Sequence, residues 1–220
     1  MGKITDSLLS GTRGRTGRIV VSNIEGHEIS RMRPRKSNRI STPKQQIIKD
    51  RFNFAVQFIQ GYKTLAKTYY GKRSGLKSPY NQAMANLLQS MPCNMDTLTF
   101  SIEYDAIQFT KGSLLEPQPV NVTADDPLSA TITWSNNATE LLDQNDTLVI
   151  LYAEDGSTKA QSIVVQTTVK RSEESYVLQF LPKFQGTDIH IWMSFLSTIK
   201  QEASPSIYFC LLYTSPSPRD

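Results

Sequence analysis

The chain has 220 residues, of which 39% are hydrophobic and 20% are charged, and its formal net charge is +4. This length is enough for one sizeable hydrophobic core or two small ones, since domains usually run to about 100–200 residues. No stretch approaches the roughly 18 consecutive apolar residues of a membrane-spanning helix, and the N-terminal residues lack the apolar core of a signal peptide. We therefore expect a cytoplasmic protein with no membrane partner.

Charge divides the chain into a basic and an acidic part. Residues 1–80 contain 17 Lys+Arg and 4 Asp+Glu, whereas residues 81–220 contain 7 and 16, so the two balances are +13 and −9. A basic segment of this kind can engage a polyanion such as nucleic acid, or it can pair with an acidic protein surface. The two cysteines, Cys93 and Cys210, lie far apart and only two histidines accompany them. The sequence therefore predicts neither a disulfide framework nor a zinc site, and no cofactor.

The first predicted segment, residues 1–41, is a basic Gly/Arg-rich arm or small β-ribbon. Two short β-type runs, 18–22 and 27–32, flank residues 23–26, which have the composition of a hairpin turn. The arm has too few large apolar residues to stand alone as a domain. Its cations are candidates for contact with nucleic acid or another polyanion, because each can neutralise a phosphate. They are Arg13, Arg15, Arg18, Arg31, Arg33, Arg35, Lys36 and Arg39.

The second predicted segment, residues 42–95, is a helical hairpin. A Thr-Pro pair at 42–43 supplies an N-cap and a first helical residue, and it predicts a helix over about 43–69 with Gly61 as its weak point. A Ser-Pro pair at 78–79 repeats this signal and predicts a second, shorter helix. Apolar residues of the first helix recur at three- and four-residue steps, which predicts one buried face. They are Ile48, Phe52, Ala55, Ile59, Tyr62, Ala66 and Tyr69.

Residues 96–209 are predicted to form an antiparallel β-sandwich. Short β-type runs separated by turn residues are typical of this architecture. Alternation places Ile132 and Trp134 on one face, and both Trp134 and Trp192 are expected in the core. A Trp-bearing strand, a Leu-Pro strand end, a turn and an aromatic strand follow in the order of immunoglobulin and fibronectin III-like domains. The runs are 98–102, 130–134, 147–152, 162–169, 176–181, 189–195 and 206–209. The predicted fold class is therefore α+β.

Residues with catalytic chemistry do not converge in the sequence. Cys93 has no His near it, and His190 alternates with apolar residues as an outward or rim histidine of a strand does. The adjacent carboxylates at 125–126, 154–155 and 173–174 lie beside turn signals, where such pairs are normally solvated. We therefore expect no enzymatic activity and no small-molecule substrate.

Several short motifs are spread over residues 1–208. They are Gly11, Gly14 and Gly17 with Arg15 and Arg18, then Arg33-Pro34, residues 42–45, Arg51-Phe52, residues 78–81, Trp134, Asp146, Leu181-Pro182, Gly186 and residues 204–208. Together they resemble a family of uncharacterised Bacteroidota proteins, a domain of unknown function. The resemblance implies a basic N-terminal segment, a helical pair and a C-terminal β-domain, with no known activity and no established site residues.

The last residues depart from that family. Members end close to the position of Tyr208, whereas residues 210–220 here, CLLYTSPSPRD, resemble a translated sequencing adaptor joined to a truncated reading frame. Cys210 is therefore expected not to be a native cysteine, and residues 210–220 are expected to be an artefactual tail.

The sequence favours a non-enzymatic structural or protein-interaction protein that binds a protein partner or associates with itself. It would be a component of a larger assembly, of phage or mobile-element origin. The alternative is a nucleic-acid-binding protein that contacts phosphates through the basic arm. No aromatic residue is interleaved with the arm's arginines, so the arm offers no platform for base stacking.

Overall fold

The computed structural model describes residues 2–3, 10–24, 26–35, 40–126, 128–156 and 161–211. The chain forms two compact units. The smaller one consists of residues 1–42 and 74–76, and the larger one of residues 43–73 and 77–220. Among the described residues, no helix has both the length and the apolar character needed to cross a membrane.

The smaller unit contains a four-stranded antiparallel sheet with the order β1-β4-β3-β2. Its strands are β1 (Gly2–Lys3), β2 (Gly14–Thr16), β3 (Ile19–Ile24) and β4 (His27–Met32). The predicted β3–β4 hairpin is confirmed, whereas β1 and β2 were not predicted because they are short and poor in apolar residues. Gly17, with a φ of 58°, lies in the two-residue turn from β2 to β3, where a positive φ favours glycine.

The larger unit begins with three helices: α1 (Pro43–Gln60), α2 (Lys63–Thr68) and α3 (Pro79–Gln89). One long first helix was predicted, and this is wrong, because the helix is interrupted at Gly61, its predicted weak point. The second start signal is confirmed, since the Ser78 hydroxyl accepts a hydrogen bond from the Asn81 N–H at 3.3 Å. The predicted buried face holds only in part: Ile48 and Phe52 remain 47% and 48% exposed, because the first turns of α1 extend beyond the core.

Two antiparallel sheets follow. One has the order β10-β9-β12-β13, with β14 also pairing with β12, and the other has the order β11-β8-β7. A two-stranded ribbon, β5 with β6, and four single 3₁₀ turns complete the unit. The strands are β5 (Cys93–Asn94), β6 (Thr99–Phe100), β7 (Gln118–Asp126), β8 (Ser129–Ser135), β9 (Thr147–Glu154), β10 (Ser162–Lys170), β11 (Ser175–Gln179), β12 (Ile189–Ser197), β13 (Glu202–Ala203) and β14 (Ile207–Leu211). The 3₁₀ turns are Tyr104–Ala106, Asp143–Asn145, Arg171–Glu173 and Pro182–Phe184.

Two apolar clusters make the core of the larger unit. Ile132, Trp134 and Phe195 belong to the cluster between the two sheets. Phe58 and Trp192 belong to the cluster between the larger sheet and the helices. The larger sheet is therefore covered on both faces, and all nine residues of β12 are buried. This arrangement confirms the α+β class, the immunoglobulin/fibronectin III-like sandwich and the core positions of both tryptophans.

Two features at the ends of the sandwich differ from the expectation. Strand β7 was not predicted, although Val120, Val122 and Ala124 alternate with polar residues in it, and most of the strand is exposed. Strand β14 was predicted to end at Phe209 but continues to Leu211, with Cys210 opposite His190. The rest of the adaptor-like segment, residues 212–220, lies outside the described residues. The division of the chain into segments 1–41, 42–95, 96–209 and 210–220 stays a prediction.

Candidate polyanion-binding surface

The sheet of the smaller unit places several predicted arginines on one face. Opposite residues of antiparallel strands lie on the same face. Arg15 is opposite Val20, and Val20 is opposite Arg31, so Arg15 and Arg31 share a face. Arg33, two residues further on, continues the alternation, and its N–H donates to the Arg18 carbonyl oxygen at 2.8 Å. The register of three strands therefore assembles cations that are up to 18 residues apart in sequence.

These arginines border a shallow cavity of about 390 Å³ at the turn between β2 and β3. Four arginines line it, together with Gly17, Met32 and Pro34: Arg15, Arg18, Arg33 and Arg35. We call these four side chains the arginine cluster. All four residues are exposed, and the described residues of the cavity wall include no carboxylate.

The arginine cluster has no counter-charge among the residues that the structure describes. Within the described part of the chain, none of its guanidinium groups forms an ion pair. Glu28 lies three residues from Arg31 on the same strand, so its side chain leaves the opposite face of the sheet, where its carboxylate accepts the Gly11 N–H at 2.7 Å. A guanidinium presents its donors in a planar fork that matches a carboxylate or a phosphate. The cluster is therefore open to an external anion.

The structure assembles only some of the eight predicted contact residues. Arg13 precedes β2, and Arg31 lies on the shared face of the sheet, but neither lines the cavity. Lys36 and Arg39 lie outside the described residues. Met32 and the Gly17 turn were missed as part of the cavity wall, although the Gly-Arg spacing at 14–18 is a usable signal for a tight turn.

His190 is buried, so its prediction as an outward histidine is wrong. The Tyr104 ring stacks on the imidazole with 3.6 Å between ring centroids. His190 Nδ1 lies 2.7 Å from the Tyr208 hydroxyl, and Nε2 lies within ion-pair distance of Asp155 Oδ1, at 3.3 Å. Burial lowers the pKa of His190, and Asp155 opposes part of this shift. Burial also raises the pKa of the Tyr208 phenol.

The His190 group therefore ties strands β12 and β14 to the Tyr104 turn and to the end of β9. Among the residues that the structure describes, no three His, Cys, Asp or Glu side chains are grouped so that they could hold a metal ion. The exposed arginine cluster is thus the surface with the clearest binding chemistry in the smaller unit.

The fold places the chain among α+β proteins with an immunoglobulin/fibronectin III-like sandwich. The chain belongs to a family of unknown function, DUF6266, whose model matches residues 11–210. None of the curated proteins matches the chain. The Bacteroidota origin and the adaptor-like nature of the C-terminal residues stay predictions.

Two solved structures with similarity to the chain are fibronectin III domains. The fn3 domain of the human collagen alpha-1(XX) chain has a TM-score of 0.35 and 18% identity, over 50% of this chain and 96% of that one. The fn3 domain of human contactin 1 has a TM-score of 0.31 and 17% identity, over 50% of this chain and 90% of that one.

Proposed function

We propose that the protein is a non-enzymatic interaction protein whose arginine cluster binds an acidic surface, on a partner protein or on a second copy of the chain. One observation carries the proposal: four exposed arginines border a single cavity, and within the described residues they have no ion-pair partner. Unpaired arginines in one place repel one another, and an incoming carboxylate surface relieves that repulsion. The protein then acts as one component of a larger assembly.

The acidic residues in the second part of the chain supply the opposite charge for self-association. Residues 81–220 have a charge balance of −9, while residues 1–80 have +13. Opposite charges on two parts of one chain favour contacts between copies, and such contacts weaken as salt screens them. Self-association through the arginine cluster should therefore be strongest at low ionic strength.

Light scattering after size-exclusion chromatography, at low and moderate salt, tests this function. Wild type should associate at low salt, and the variant Arg18→Gln/Arg33→Gln/Arg35→Gln should lose this association. Lys44→Gln/Lys63→Gln/Lys67→Gln removes the same charge from exposed positions on α1 and α2 and should behave as wild type. Anisotropy with labelled poly-glutamate tests an acidic partner with the same three proteins. If the wild-type protein is monomeric at low salt and does not bind poly-glutamate, the proposal is wrong.

Binding of nucleic-acid phosphates is the second candidate, and the one-sided array of guanidinium groups favours it. Affinity for a random DNA duplex should then fall steeply with salt, because each neutralised phosphate releases counterions. Arg18→Gln/Arg33→Gln/Arg35→Gln should weaken binding and reduce the slope of log K against log salt by about two to three. Equal, weak binding of the duplex by wild type and variant at low salt rejects this candidate.

A further inference from the structure

The larger unit contains a cleft of about 690 Å³ that is formed by three segments of the chain. Residues 68–72 begin at the last residue of α2, residues 111–113 precede β7, and residues 200–203 comprise the end of the β12–β13 connection and β13 itself. Three lysines line it, Lys72, Lys111 and Lys200, and we call it the lysine cleft. Its volume lies in the range of small-molecule sites, roughly 300–1,000 Å³.

Backbone contacts hold the walls of the lysine cleft together. The Lys111 N–H donates to the Tyr69 carbonyl oxygen at 3.0 Å, and the Leu114 N–H donates to the Ala203 carbonyl oxygen at 3.2 Å. Gly112 packs directly on residue 203, since a Cβ on Gly112 would lie 2.1 Å from the Ala203 carbonyl oxygen. The Lys72 carbonyl oxygen accepts a hydrogen bond from Gln82 Nε2 at 2.9 Å, which fixes the end of the 68–72 segment to α3. The lysines therefore extend from fixed backbone positions.

Among the described residues, two of the three lysines that line the cleft have no ion-pair partner. Lys200 Nζ is 2.6 Å from Asp143 Oδ1, so this lysine is already neutralised. The Glu202 carboxylate, which also lines the cleft, accepts a hydrogen bond from the Ser113 hydroxyl. Lys72 and Lys111 form no ion pair within the part of the chain that the structure describes. Within the described residues, two lysines without an ion-pair partner thus line one cleft.

We propose that the lysine cleft binds a small molecule with at least two negative charges, a phosphate ester or a dicarboxylate. An ammonium group acts as a compact point charge, so it suits either anion without the planar geometry that arginine demands. One negative charge of the ligand pairs with the Lys72 ammonium group, and the other pairs with that of Lys111. The Glu202 carboxylate selects against ligands that place a third charge at the β12–β13 end of the cleft. This site is independent of the arginine cluster.

Calorimetric titration with pyrophosphate and, separately, with succinate tests the proposal. The full chain carries Arg18→Gln/Arg33→Gln/Arg35→Gln in every sample, so that anion binding at the arginine cluster is weakened equally in all of them. We expect saturable binding of at least one probe, weakened about tenfold or more by adding Lys72→Gln/Lys111→Gln, which corresponds to about 1.4 kcal/mol. Adding Lys63→Gln/Lys67→Gln, exposed on α2 and equal in charge, should leave the affinity unchanged.

The two probes separate the possible sources of the anion. Preference for pyrophosphate identifies a phosphate ligand, and preference for succinate identifies a carboxylate ligand. Absence of saturable binding by both probes, or an equal loss in the two lysine pairs, overturns the proposal. None of these results bears on the proposed function, because three of the four arginines of the cluster are replaced throughout.

Discussion

Gly61 lies so close to Ser162 that a Cβ at residue 61 would be 2.1 Å from the Ser162 carbonyl oxygen. The Ser162 hydroxyl in turn donates to the carbonyl oxygen of Phe58, in the last turn of α1. The interruption between α1 and α2 is therefore the point where the helices meet the first residue of β10. One close contact both ends the helix and positions it on the sheet.

Replacement of Gly61 by alanine should destabilise the protein. Alanine is the better helix former, so local propensity alone predicts a gain. The contact with Ser162 predicts the opposite, because a Cβ must displace backbone, and overpacking of this kind costs about 1–3 kcal/mol or more. Urea unfolding gives the free energy of unfolding of each variant. Gln60→Ala, at the adjacent exposed position, should change it by less than about 0.5 kcal/mol. A Gly61→Ala protein as stable as wild type would show that the contact is loose.

The contrast between Gly61 and Ile132 shows which parts of the fold the sequence determines locally. Alternation alone placed Ile132 in the core, because a strand has a period of two and each residue's face follows from its neighbours. The break at Gly61 depends on Ser162, about a hundred residues later, which no local pattern encodes. The sequence therefore predicted that a helix forms here, but the predicted position of its end was wrong.

Arg171 is fully buried, and its replacement by methionine should cost much of the stability of the sandwich. Its guanidinium donates to Asn137 Oδ1 at 2.6 Å and to the Leu115 carbonyl oxygen at 2.9 Å, and it lies 3.4 Å from Asp146 Oδ2. Its loss leaves the Asp146 carboxylate buried and unpaired, for a cost of about 3–5 kcal/mol in the free energy of unfolding. Lys170→Met, at the exposed neighbouring position, is the matched control.

A second variant separates charge from packing at this position. Arg171→Met/Asp146→Asn removes the uncompensated charge, so the double variant should be more stable than Arg171→Met in the same denaturation experiment. If the double variant is as unstable as the single one, the destabilisation comes from lost packing over Phe195 rather than from Asp146.

The sequence predicted which residues contribute to the candidate site, but it did not predict how the fold brings them together. The arginines at 31, 33 and 35 were singled out by charge, although only Arg31 lies within β4. Arg15 joins them only because β2 pairs with β3, and β2 is too short to be predicted. The prediction that His190 is an outward or rim histidine was wrong for a related reason. Alternation cannot show that helices cover the second face of β12, which makes both faces of that strand buried.

Ser204 should be a sensitive position, although serine-to-alanine is a small change. Its hydroxyl is buried, accepts the Phe195 N–H at 3.0 Å and lies 3.1 Å from the Ser194 hydroxyl. Alanine leaves the Phe195 N–H without an acceptor, which costs about 1–3 kcal/mol. The melting temperature of Ser204→Ala should therefore fall by several degrees, while Thr198→Ala, exposed after β12, should leave it nearly unchanged. Equal melting temperatures would mean that water replaces the hydroxyl.

Stability should fall on acidification because of His190. Burial holds the pKa of folded His190 below its usual value, so the unfolded chain binds a proton more readily than the folded one. The free energy of unfolding is therefore highest above about pH 6.5, the ordinary histidine pKa, and declines as the pH falls towards the folded pKa. Two carboxylates limit the decline, because Asp155 and Asp188 favour the imidazolium; the Tyr208 hydroxyl, 2.7 Å from Nδ1, and the Tyr104 ring are the other titratable groups that face the imidazole.

Urea unfolding at pH 7.5 and at pH 5.0 measures this decline in three variants. His190→Gln should be less stable at neutral pH and should lose most of the pH dependence over this interval, since glutamine does not titrate. Asp155→Asn should steepen the decline, because it removes a charge that partly stabilises the imidazolium. His27→Gln, at the exposed second histidine, should retain the wild-type dependence. If His190→Gln keeps the full pH dependence, the titrating group is another residue, since the buried imidazole is then not the site of proton uptake on unfolding.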